Sequence, residues 1–184
     1  RFKRVGGPRV VTLNPVPKPL PEVMPQIIGV PKDRVLLTIA EGFPSERRWL
    51  NHGETVDAEI MRWIGDEFII PRIPLRHDEW GIREGWKVPM LVRMVADVKL
   101  PPGQQRFMLR ARALGRLWID GQLVTRTKAI TEQPPNGEEP VTPVRNPPLP
   151  GMRLAGYHQQ EVFGEVTVKP GTTSRVVLEL IVGG

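Results

Sequence analysis

The sequence predicts an all-β chain, an antiparallel β-sandwich of jelly-roll type with long Pro-rich loops and an extended N-terminal arm. Three observations carry this. The 184 residues include 21 Pro and 18 Gly, a density of helix breakers that favours short strands joined by turns. Period-two alternation recurs through the second half of the chain, the pattern of strands with one face buried. Asp120-Gly121 stands between two apolar arms, the strongest short-range hairpin signal, because a tight type I′ turn needs φ > 0 at both central residues.

Taken in order, residues 1–32 hold Pro8, Pro15, Pro17, Pro19, Pro21, Pro25 and Pro31. That spacing supports extended polyproline-type backbone and neither a helix nor a central strand. The segment reads as a basic arm or linker ahead of a domain spanning 33–184. Val35 to Ala40 is an apolar, β-branched run of strand length. Asp57 to Ile64 reads as one or two helical turns, and Glu67 to Ile70 as a strand stopped by Pro71. Leu91 to Val98 is a strand, and Leu100-Pro101-Pro102-Gly103 a turn.

In Gln105–Ala113, Phe107, Leu109 and Ala111 face one way, and Arg106, Met108, Arg110 and Arg112 the other. The basic face suits either an anion or salt bridges to neighbouring strands, and the salt bridges are preferred. Around Asp120-Gly121, Trp118 is expected to pair with Leu123 and Leu117 with Val124, with apolar cover on both faces. Residues 127–160 form a long Pro/Gly/Glu-rich connection. Glu161–Val168 and Arg175–Val182 close the chain as strands, with Val176, Leu178, Leu180 and Val182 sharing a face.

Charge and composition restrict function. The formal net charge is +6, but residues 1–32 supply +5 of it and the remainder only +1. A basic stripe able to neutralise several phosphates is therefore not expected in the domain, which argues against nucleic acid as a partner. No apolar run approaches the ~20 residues of a transmembrane helix. With no Cys, thiol catalysis and thiolate-held metals are excluded from this sequence. The chain reads as a piece of a longer polypeptide.

No phosphate loop, dinucleotide motif, zinc-protease motif or nucleophile elbow occurs. His77-Asp78-Glu79 is the one cluster able to hold a metal or move a proton. It also suits an ordinary polar turn, and that reading is adopted: no enzyme, no metal, no cofactor. The segment Trp80-Gly81-Ile82-Arg83-Glu84-Gly85-Trp86 could form an aromatic platform for a sugar or a protein, or pin a loop to the sandwich. The candidate ligand-binding residues are His77, Asp78, Trp80, Arg83 and Trp86. Trp118, Asp120 and Gly121 are assigned a structural role in the hairpin.

The run Arg106 to Val124, with Leu117-Trp118-Ile119-Asp120-Gly121 at its centre, resembles the signature hairpin of the protective-antigen-type domain. That family is a β-sandwich of bacterial toxins, flocculin adhesins and glycosidase inserts. The resemblance implies a non-catalytic module of a larger secreted protein, sometimes one that binds glycans. The sugar-binding members hold calcium on two adjacent aspartates just before this strand. Here that place is Ala113-Leu114-Gly115, so calcium-dependent sugar binding is not implied. The pattern also resembles segments of large secreted bacterial proteins in which such a domain accompanies a c-type cytochrome domain; no Cys-x-x-Cys-His occurs here.

The expectation is an extracytoplasmic, periplasmic or secreted, docking module whose partner is another domain of the same polypeptide or a separate protein. The alternative is a calcium-independent module for polysaccharide.

Overall fold

A computed structural model describes residues 20–69, 76–78, 81–83, 85–130 and 159–183. Among the described residues, ten strands follow in order: β1 (Val35–Ala40), β2 (Glu59–Gly65), β3 (Arg76–Asp78), β4 (Gly81–Arg83), β5 (Met90–Val98), β6 (Gly103–Ala111), β7 (Gly115–Ile119), β8 (Gln122–Arg126), β9 (Gln160–Val168) and β10 (Ser174–Val182). No helix occurs among the described residues, and every pairing is antiparallel. The fold is the expected all-β, sandwich-like one.

A six-stranded sheet runs β2-β1-β5-β10-β7-β8, and a two-stranded ribbon pairs β6 with β9. On the first face of the large sheet, Leu117, Ile119 and Val176 pack with Val166 and Val168 of the ribbon. Farther along that face, Val35, Leu37, Ile39, Met90, Val92 and Met94 form a second cluster, against which Met61, Trp63 and Trp86 lie. The opposite face is covered by chain without regular secondary structure. Met24, Ile27 and Val30 lie on Val95, Trp118 and Val177, while Phe43, Trp49 and Leu50 cover Leu91, Leu114 and Ile181. The part of the Pro-rich arm from residue 20 onward is therefore packed structure. Its backbone cannot join a ladder at each Pro, but the apolar residues between prolines still reach the sheet.

The Asp-Gly turn forms as the sequence requires. Asp120 has φ 48° and Gly121 has φ 86°, and Trp118 pairs with Leu123. Asp120 also fastens the turn to β10: its backbone N–H donates to the Arg175 carbonyl at 2.9 Å, and its Oδ1 accepts from the Arg175 N–H at 2.8 Å. Leu117 pairs with Thr125 and not with Val124, because an irregularity between Leu117 and Trp118 shifts the register by one. Trp118 is buried on one face, and Leu117 and Ile119 on the other, so the hairpin is covered twice.

The middle of the chain departs from the sequence reading. The residues read as helical turns form strand β2, paired with β1 from Val35↔Gly65 to Ala40↔Glu59. The alternation that decides it is Met61 and Trp63 against Arg62 and Ile64, a two-residue period that a short mixed segment also offers to a helix. Glu67–Ile69 form no strand; Ile70 lies outside the described residues. The long connection 131–158 lies outside them as well.

Candidate functional site

Of the residues nominated from sequence, His77, Asp78 and Arg83 share one small hairpin. Backbone pairing sets His77 opposite Ile82, Asp78 opposite Gly81 and Arg76 opposite Arg83 in the small β3–β4 hairpin. Trp80 lies outside the described residues. Trp86 is half-buried and packs on the cluster of Val35, Leu37 and Met94, so much of its surface pins a loop. The basic face of β6 is occupied by its neighbour strand: Arg110 forms an ion pair with Glu161, and the Arg106 guanidinium lies 4.7 Å from the centre of the Phe163 ring. Among the described residues, the salt-bridge reading describes Arg110, while Arg106 rests on an aromatic ring.

Another site emerges on the face of the large sheet that the arm covers. Strand register aligns Arg62, Thr38, Arg93, Glu179, Arg116 and Arg126 in one transverse row across β2, β1, β5, β10, β7 and β8. Alternation puts all six on the same face. At the centre, the side chain of Glu179 is wholly buried. Its Oε1 accepts from Arg93 Nε at 2.7 Å, and its Oε2 accepts from Arg116 Nε. A carboxylate taken out of water is tolerated only when paired and hydrogen-bonded, and here both oxygens are served.

The arginines at the site are held in distinct ways. Arg116 is stacked: its guanidinium lies 4.0 Å from the Trp49 ring centre and 5.5 Å from that of Trp118, favourable placements over aromatic faces. Arg126 pairs with Glu22 of the arm. Arg48 grips Glu54 in a fork of two 2.6 Å bonds, while the Asn51 backbone N–H donates to the same carboxylate at 2.8 Å. Arg48 and then the Asn51 N–H hold the Glu54 carboxyl down to about 2, and the Glu54 bond raises Arg48 above its ordinary value. This clasp fixes the loop that carries Trp49. The arm is tied to the same loop where the Leu20 N–H donates to the Leu50 carbonyl at 3.0 Å.

Between arm, loop and sheet lies a groove of about 370 Å³. Trp49, Arg93, Arg116 and Arg126 form one part of its wall, and Leu20, Pro21, Val23 and Leu50 another. Trp49 meets Phe43 edge to face with ring centres 6.0 Å apart, and its buried Nε1 has no hydrogen-bond acceptor among the described residues.

Sequence reading missed this site because its parts are far apart in the chain. One local sign was available. Glu179 interrupts the apolar run Val176-Val177-Leu178-Glu179-Leu180-Ile181-Val182, and a lone carboxylate in a buried strand requires a cationic partner. Compared with known proteins, the chain matches no family model, no curated protein and no solved structure.

Proposed function

We propose that this chain is a non-catalytic docking module of a larger extracytoplasmic protein, and that it engages a neighbouring domain or protein partner along edge strand β2. The supporting observation is the character of that edge. Among the described residues, β2 pairs only with β1, and it exposes Ile60 at 43 % and Ile64 at 51 %. Ile28, 86 % exposed, belongs to the same surface, because the Ile28 carbonyl accepts from Arg62 Nη1 at 3.0 Å.

An open strand edge bordered by exposed apolar side chains suits strand addition or apolar docking. The Arg62–Glu59 ion pair, 2.5 Å long, and the register shift at Ala40 restrain promiscuous edge pairing. The resemblance of the Trp118–Gly121 hairpin to non-catalytic modules of secreted proteins agrees with this reading. No helix of the described residues is long and apolar enough to cross a membrane. The sugar-platform alternative is weakened by the use of Trp86 in packing.

Amide hydrogen exchange tests the proposal. In the isolated chain, the outward amides of Glu59–Gly65 are expected to exchange fast, and to gain protection in the longer parent polypeptide or with its partner. Ile64→Lys in that longer polypeptide is expected to remove the gain. Equal exchange of β2 in both settings would overturn the docking edge.

A further inference from the structure

We infer that the groove between the arm, the Trp49 loop and the large sheet is a receptor for a single carboxylate borne on an apolar stem, with the free C-terminus of a polypeptide as its source. This site is separate from the β2 edge and stands without it.

The groove carries an excess of positive charge. Among the described residues that line the groove or bond to its lining, Arg48, Arg93, Arg116 and Arg126 face Glu22, Glu54 and Glu179. Arg48–Glu54 and Arg126–Glu22 are one-to-one pairs. The central carboxylate is shared by two arginines, which leaves one positive charge in excess. A partly desolvated cation without a counterion is costly, and a monoanion relieves that cost.

The groove also has hydrogen-bonding capacity to spare. Arg93 and Arg116 each spend Nε on Glu179. Among the described residues, no acceptor takes the terminal Nη groups of either. Because both guanidiniums hold the two oxygens of one carboxylate, they are neighbours, and their remaining donors suit a second carboxylate. Trp49, stacked on Arg116, lines the groove beside these donors, so a carboxylate held there lies against its ring.

The apolar part of the wall selects the stem. Leu20, Pro21, Val23, Pro25 and Leu50 contribute apolar surface to the groove. They offer little to the hydroxyls of a sugar acid and much to an aliphatic side chain. About 370 Å³ accommodates one or two residues, so the end of a chain fits and a long internal segment does not. Capture of a terminal carboxylate by converging donors is an established mode of peptide recognition.

The test uses the 184-residue chain and three probes: N-acetyl-Leu-Leu with a free carboxylate, the same dipeptide as its C-terminal amide, and digalacturonate. Indole N–H resonances and calorimetry report where and how tightly each binds. The free acid is expected to bind, to move the Trp49 indole signal, and to exceed the amide by about tenfold or more. Arg93→Met leaves Glu179 and Arg116 as a neutral pair and is expected to lower acid affinity about tenfold while the amide is unaffected. Should that variant fail to fold, Arg93→Lys keeps the charge without the planar fork and is expected to lose about threefold or more. Equal binding of acid and amide, no binding of the acid, shifts that spare Trp49, or unchanged acid affinity in the folded variant would each overturn the inference. Digalacturonate binding as tightly as the dipeptide would overturn the apolar stem and the peptide source.

Discussion

Among the described residues, Glu179 on the large sheet and Glu161 on the ribbon have side chains wholly removed from solvent, and each lies beside a groove of similar size. The groove at Glu179 is about 370 Å³ and the one lined by Arg110 about 350 Å³. Their charge balance differs. Glu179 is held through both oxygens by two arginines. Glu161 pairs with Arg110, and its Oε2 has no hydrogen-bond partner. Around the ribbon groove, Arg110 and Arg112 are matched by Glu46 and Glu161. Among the described residues, one site carries a surplus cation and spare donors, and the other is neutral. Burial of a carboxylate alone therefore does not make a ligand site; the surplus does.

The largest expected effect comes from removing the shared charge. Glu179→Gln leaves two arginines, with 32 % and 16 % side-chain exposure, facing each other without their counterion. A loss of about 3–5 kcal/mol in unfolding free energy is expected, measured by urea denaturation. A loss below about 1 kcal/mol would mean that water already compensates the arginines.

Next is Gly164→Ala, which probes the ribbon through shape instead of charge. A Cβ at Gly164 would overlap the Val124 carbonyl oxygen and crowd Thr125, so β9 must lift from β8. The expected cost is about 1–3 kcal/mol, seen as a lower midpoint and faster exchange of β9 amides. A neutral result would show that the ribbon slides freely over the hairpin.

A smaller effect is expected for Glu161→Gln. The native carboxylate has only one oxygen bonded, and Arg110 keeps some contact with solvent. The expected cost is about 1–2 kcal/mol, less than that of Glu179→Gln in the same assay. The reverse ranking would break the contrast between the two sites.

The smallest effect is the acid response of the Trp49 loop. Glu54 is held down to about 2 in the folded chain, below its ordinary value, so its contribution is complete above the unfolded value near 4.5. It is lost as pH falls toward 2. Trp49 fluorescence is expected to stay constant from pH 7 to about 4.5 and to change only as the clasp protonates below that. Glu54→Gln should abolish the transition. A change centred above pH 5 would place its origin elsewhere.

Most of the fold was legible because the strands after residue 90 obey one strong rule, alternation bounded by Pro or Gly turns. Asp120-Gly121 specified its turn by backbone chemistry alone. Strand β2 was misread because Met61, Arg62, Trp63 and Ile64 are too few to separate two periods, and its pairing with β1 decides the matter from outside. The candidate site was not legible. Arg93, Arg116 and Glu179 meet only through sheet register, which no local pattern encodes. Trp80 and Trp86 are close in sequence, whereas Trp49, with no second tryptophan nearby in the chain, is the one stacked on an arginine in the groove.

The most direct measurement is a resonance-by-resonance titration of the intact chain with N-acetyl-Leu-Leu, in which the ribbon groove serves as the internal control. The account predicts shifts at the Trp49 indole and at the Arg93 and Arg116 side chains, with Arg110 unmoved. Equal shifts at Arg110, or shifts at Arg110 alone, would contradict the claim that surplus charge distinguishes the two sites.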